Sequence, residues 1–273
     1  MVKLSRSLLE CGISLNEYTK KDGALTLVLG TLISRDDLTL SEKIADSSFI
    51  YFSCMEDPVL HVKAKFFSKY EVGTEEGILG VLLTELATDK KLDENEQAFL
   101  DELDEGYLSA ECNVGEEEAQ EVVNLLENNS LTLVLGADLE FHPKAQNIAN
   151  LIALLSKLID VEVVIANVKA EKSSNTVEVN LEDIDELATF DGTVVYCCPA
   201  KEENENQMLF GSAQFGVAAK SADGQKVVVQ TKTDRYERTF KIDSNLKGTV
   251  ALLPLDEEIF SYRYGQSKIT QVG

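Results

Sequence analysis

Between Leu92 and Pro143 the sequence has no Lys or Arg at all. Nowhere does it have an apolar run approaching the ~20 residues that cross a bilayer. Residues 1–91 carry a formal charge of −3, 92–143 carry −15, 144–207 carry −7 and 208–273 carry +2, which together make the −23 of the chain. Nucleic acid or anionic lipid meeting the 92–143 tract would be repelled rather than gain from counterion release, so neither is expected as a partner. Direct membrane insertion is not expected either. The start, Met1-Val2-Lys3-Leu4-Ser5-Arg6, is not followed by the long apolar region and small-residue cleavage site of a secretory signal. Cysteines are few and odd in number: Cys11, Cys54, Cys112, Cys197 and Cys198. That pattern argues against a disulfide scaffold and for a reducing, cytoplasmic setting.

The common catalytic signatures are missing too. A dinucleotide site needs Gly-x-Gly-x-x-Gly so that backbone can approach a pyrophosphate at a helix start. Here Gly30 is followed by Thr31-Leu32-Ile33, and Gly136 by Ala137-Asp138-Leu139, with Asp138 placing negative charge where a phosphate wants donors. No Walker A, Cys-x-x-Cys, His-Glu-x-x-His or Gly-x-Ser-x-Gly string occurs. Of the two histidines, His142 in Phe141-His142-Pro143 reads as a residue at a helix start. His61, after Pro58-Val59-Leu60, reads as a loop or packing residue. Zinc and iron–sulfur centres need three or four clustered ligands. The vicinal pair Cys197-Cys198 has two readings, burial at a strand end or a redox or metal role. Acids are plentiful enough that a paired-carboxylate site stays open, but abundance identifies none.

What the sequence does have is a repeat. Leu-Thr-Leu-Val-Leu-Gly occurs at 25–30 and again at 131–136. Each copy is a short apolar run ending in Gly, the pattern of a buried strand stopping at a turn. Each is followed by helix-compatible sequence and a second apolar run, Phe49 to Phe52 in one case and Val161 to Val168 in the other. The expected fold class is therefore α/β, with two Rossmann-like β-α-β units and a mostly parallel sheet.

Around these units, Leu4, Leu8 and Leu15 predict a lead-in helix or arm over 1–22, and Ser41 to Ala45 part of the first crossover. Gly73-Thr74-Glu75-Glu76 before an apolar stripe predicts a helix start with acids in its first turn. The acidic segment 92–127 reads as helices at 93–105 and 115–127, buried only through Phe99, Leu100 and Leu103 and through Val122, Val123, Leu125 and Leu126. It is either a solvated surface or a docking face for a basic partner. Ile148, Leu151, Ile152, Leu155, Leu158 and Ile159 predict a helix packed on the sheet after Pro143. An acidic helix or loop at 182–188 precedes a strand at Thr193 to Tyr196. Polar residues 201–207 then read as a linker, and short β runs beyond it predict a small C-terminal β-barrel-like module. The domains expected are 1–200, with related units at about 24–90 and 130–200, and 208–273.

Three strings carry a resemblance. Lys69-Tyr70-Glu71-Val72-Gly73-Thr74-Glu75-Glu76-Gly77, Gly106 to Glu118, and Gly136 to Ala145 resemble part of bacterial NADH-quinone oxidoreductase, respiratory complex I. The part resembled is the C-terminal region of the subunit whose N-terminal, ferredoxin-like domain holds iron–sulfur clusters. That region belongs to the molybdopterin oxidoreductase superfamily. Gly136 to Pro143 is similar to its Gly-x-Asn-Pro…His-Pro stretch, with Asp138-Leu139 in place of Asn-Pro. Asp223 to Val229 and Gly248 to Pro254 look like the family's C-terminal β-barrel. The resemblance spans about 24–270.

It implies a vestigial, cofactor-free scaffold, because the resembled subunit keeps this domain without using the pterin; the family's cysteine-rich cluster motifs are absent, so no cluster ligand carries over. No catalytic, cofactor-binding or metal-binding residue is therefore expected. The expected role is a non-catalytic subunit or domain of a complex I-like peripheral arm. Its partners would be the other subunits, in the cytoplasm and peripheral to the inner membrane. The alternatives are a molybdopterin- or nucleotide-binding oxidoreductase and a free-standing acidic adaptor.

Overall fold

The computed structural model describes residues 2–88, 90–126, 130–177, 179–184 and 186–272. The chain forms two compact units, Met1–Ala188 and Thr189–Gly273. In the first, α1 (Leu4–Glu10) leads to β1 (Leu25–Leu29), the short α2 (Ile33–Asp36), α3 (Leu38–Ala45), β2 (Phe49–Ser53) and β3 (Phe66–Lys69). The helices α4 (Glu75–Ala87), α5 (Glu94–Glu102), α6 (Glu105–Cys112) and α7 (Glu116–Leu125) follow. Then come β4 (Ser130–Leu135), α8 (Ala145–Leu158) and β5 (Asp160–Ile165). The strands make one all-parallel sheet in the order β3-β2-β1-β4-β5. This is the doubly wound order 3-2-1-4-5.

The repeated hexapeptides are neighbours. β1 and β4 pair in register, Leu25 beside Leu131 through Leu29 beside Leu135, so each residue lies next to its own copy. Every residue of β1 and β2 is buried, as strands covered on both faces require. The stripe on α8 predicts one buried face, but the helix is buried on nearly every side, between α1 and α4 as well as β5. Asp93 accepts the N–H groups of Asn95 and Glu96 and Glu96 answers to the Asp93 N–H, a capping box that fixes the start of α5. Leu15 adds two isolated bridges, beside Val163 and beside Glu171. The strand β3 has no counterpart in the sequence reading. The described residues of 182–188 form a loop rather than a helix; Asp185, like Glu127 in the 115–127 reading, lies outside the described residues.

The second unit comprises β6 (Val194–Pro199), β7 (Met208–Gly211), α9 (Ala213–Ala218), β8 (Lys226–Gln230), β9 (Arg235–Ile242), β10 (Val250–Leu255), β11 (Tyr264–Gln266) and β12 (Lys268–Gln271). Its mixed sheet runs β11-β6-β10-β7-β9-β8-β12. β11 and β12 are consecutive in the chain yet lie at opposite ends of that order, so the stretch 264–271 pairs with both β6 and β8 and curls the sheet into a barrel-like form. The expectation of an α/β protein with a barrel-like module is met.

The strand at 194–199 does not extend the parallel sheet of the first unit. It pairs in parallel with β10, Val194 beside Val250, so the change of unit falls at 188/189 and the polar stretch 201–207 lies inside the second unit. An apolar run announces burial; which sheet it joins depends on a partner far along the chain. Val195, Leu209, Phe215, Val227, Val229, Phe240 and Leu253 fill the interior, and Phe215 of α9 packs on Phe240 at 5.8 Å.

None of the five cysteines is in a disulfide, and all but the half-buried Cys197 are buried. Burial raises the thiols of Cys112 and Cys197 to about 11. At neutral pH their thiolate fraction is roughly 300-fold below that of an exposed cysteine near 8.5. We therefore expect no thiol of the native protein to react with an aromatic disulfide reagent within minutes at pH 7.5, and five to react after denaturation. A rapidly reacting native thiol would contradict the burial of the cysteine that carries it.

Candidate functional site

In an open α/β sheet, ligands bind outside the carboxyl ends of the strands where the strand order reverses. Here that point lies between β1 and β4, at the two glycines that end the repeats. The Gly136 N–H donates to the Leu29 carbonyl at 2.8 Å and the Gly30 N–H to the Phe52 carbonyl at 3.1 Å. The two turns press together: a Cβ built on Gly30 would lie 2.5 Å from the Gly136 Cα. Gly30 also sits at φ +141°, a conformation open only to glycine.

Two buried carboxylates occupy the donors that a bound anion would use. Both oxygens of Asp138, fully buried, lie 3.1 Å from the Thr31 N–H. Asp57, equally buried, accepts the Ser34 N–H through Oδ2 at 2.8 Å and the Val59 and Leu60 N–H groups through Oδ1 at 2.9 and 3.1 Å. Tyr51 stands behind them. Its burial, then the negative charge of Asp57, raises its phenol well above the ordinary value and keeps it neutral. The corner is filled by the chain's own anions. A phosphate-bearing nucleotide or pterin does not fit there, since its charge would face Asp138 and find Thr31 already engaged.

A second polar group lies at the start of α4. The Glu75 carboxylate accepts the Tyr70 hydroxyl at 3.1 Å, and its other oxygen lies 3.1 Å from His142 Nε2, close enough for attraction though off the line of a straight hydrogen bond. His142 Nδ1 accepts the Lys144 N–H at 3.0 Å, which assigns the ring proton to Nε2, facing Glu75. Beside it, Asn147 donates to Glu76 at 2.7 Å.

The reading of His142 as a residue at a helix start matches the contact with Lys144. The sequence reading missed its partner, because acids in a first helical turn usually face water, whereas Glu75 and Glu76 are buried. The apolar sequence on both sides of them, Val72 and Ile78 to Val81, was the available signal. His61 packs its ring edge on Phe67, and its Nδ1 lies 2.6 Å from the Asp57 carbonyl. Cys198 is buried in β6 beside half-buried Cys197. Among the described residues no three His, Cys, Asp or Glu side chains are grouped to hold a metal, and no helix is long and apolar enough to cross a membrane.

Burial is the main cause that raises Glu76 above the usual 4.5. Partial burial and the repulsion of Glu116 and Glu105 raise Glu85. A carboxyl raised on folding contributes its stability in full below 4.5, and that contribution is lost as pH rises through the higher folded value. The urea midpoint of the first unit should accordingly rise as pH is lowered from 7.5 towards 5 at low salt. A midpoint that falls over this range would show that other groups dominate.

No protein-family model matches the sequence, and no curated protein matches it. Solved structures do match, 44 chains in all. Among them is acetylene hydratase from Pelobacter acetylenicus, with a TM-score of 0.52 at 6% identity over 93% of this chain and 74% of that one. At that identity the likeness is one of fold: the chain shares the α/β architecture of that protein.

Proposed function

We propose that the chain is a non-catalytic scaffold subunit or domain in the peripheral arm of a complex I-like NADH-quinone oxidoreductase, a cofactor-free relative of the molybdopterin oxidoreductases. Its partners are the other subunits of that arm, and its place is cytoplasmic, on the inner membrane only through the complex. The observation that carries this reading is the closed corner between β1 and β4, where Asp138 holds the Thr31 N–H and Gly30 touches Gly136. Asp138 stands where the superfamily's stretch has Asn, so the departure from the family pattern is the residue that fills the corner. The α/β unit followed by a barrel-like unit is the arrangement that the resemblance implies.

Affinity purification of the tagged chain from native membranes tests it: other subunits of the oxidoreductase should co-purify. Recovery of none would overturn the scaffold reading. The competing reading, an oxidoreductase holding molybdopterin or a nucleotide, has the doubly wound strand order in its favour. Visible absorbance with molybdenum and phosphorus analysis of the purified protein separates the two. A stoichiometric pterin or nucleotide would replace the first reading with the second.

A further inference from the structure

The helices α5 and α6 and the chain segment 179–184 border two adjoining cavities, open to solvent, of about 270 and 340 Å³. Phe99, Leu103, Tyr107 and Ile184 form an apolar floor for the first. Among the described residues, no Lys or Arg lines either one. Most of the acids around them are already engaged. Asp93 caps α5, Asp104 caps α6 through the Tyr107 N–H, and Glu96 pairs with Lys157. Glu102 and Asp183 differ: they line both cavities, are exposed, and their side chains have no hydrogen bond or ion pair among the described residues.

We propose that this groove docks a basic amphipathic segment of a protein partner, its Lys or Arg side chains meeting Glu102 and Asp183 and its apolar side chains lying on Phe99, Leu103 and Ile184. Charge complementarity selects this occupant. A cation entering here meets uncompensated carboxylates beside a surface that excludes water, where Coulomb attraction is stronger than in bulk solvent. A second copy of the chain is a poor occupant, since each copy carries −23 and the approach would be repulsive. The inference rests on the reading of the chain as a platform for protein contacts. It is tested on the groove itself, so it can fail while the complex is recovered, and the reverse.

The experiment titrates the intact chain with a fluorescently labelled amphipathic Leu/Lys helical peptide, at low salt and at physiological salt. The controls are a peptide of the same composition with scrambled order and two charge-reversal variants, Glu102→Lys/Asp183→Lys in the groove and Glu116→Lys/Glu117→Lys on α7. The expected result is saturable binding that survives physiological salt, weakened about tenfold or more by the groove variant and changed within about twofold by the α7 variant. Hydrogen exchange of the unaltered chain should show peptide-dependent protection in 93–108 and 179–184. Equal weakening by both variants, equal binding of the scrambled peptide, or protection confined to other segments would overturn the proposal. So would sedimentation showing that the groove variant abolishes a dimer of the chain instead.

Discussion

Gly30→Ala lowers the unfolding free energy of the first unit by about 4 kcal/mol, a value set by two additive causes. An L side chain at φ +141° is strained by roughly 1–3 kcal/mol. The new Cβ would also lie 2.5 Å from the Cα and 2.6 Å from the N of Gly136, both backbone atoms in the end of a fully paired sheet. Neither turn can give way without breaking the bonds of Gly30 to Phe52 or Gly136 to Leu29. Gly136→Ala differs in its first clash, since its Cβ would fall 2.1 Å from Asp138 Oδ1 and displace that side chain, as well as 2.9 Å from the Gly30 Cα. Removing that side chain in Gly136→Ala/Asp138→Ala should make the double loss smaller than the sum of the single losses. Urea unfolding followed by circular dichroism measures all of these. A Gly30→Ala loss under about 1 kcal/mol would mean that the two turns do not touch as described.

The pair Glu75 and His142 should give the next largest effect. Each is buried, and removing either one deletes the close contact between them. Glu75→Leu and His142→Leu should each destabilise the first unit by about 3–5 kcal/mol, the cost of an uncompensated buried charge or donor. The double variant should lose much less than the sum, because the apolar pair leaves no charge to desolvate. The Lys144 N–H and the Tyr70 hydroxyl lose acceptors in the cycle, so the double variant still falls short of the unaltered chain. Strictly additive losses would show that the 3.1 Å contact carries no coupling.

Both effects arise at positions that the sequence reading reached in different degrees. Gly30, Gly136 and Asp138 stood out, because a glycine closing an apolar run marks a turn and an acid just after it repels an anion. That Asp138 would reach across to Thr31, a residue of the other repeat, could not be read. The two lie 107 positions apart and meet only because β1 and β4 pair. Glu75 and Glu76 looked like ordinary first-turn acids, since a helix start attracts acids whether it faces water or protein. Asp57, whose three bonds hold the neighbouring turn, gave no pattern at all: a single acid in a loop carries no periodicity.

From composition and periodicity alone, the chain had to contain two buried strand–helix–strand units, an acidic helical stretch and a β-rich end, with no recognised phosphate-binding loop. These are local properties, written in the spacing of apolar residues and in charge. Tertiary structure decided the rest. It placed the twin strands side by side, gave 194–199 to the second sheet, joined that sheet's edges through 264–271, and turned Asp57, Asp138 and Glu75 inward. Each of these outcomes depends on which distant segment a residue meets, and that choice is made by the packing of the whole chain rather than by any run of its sequence.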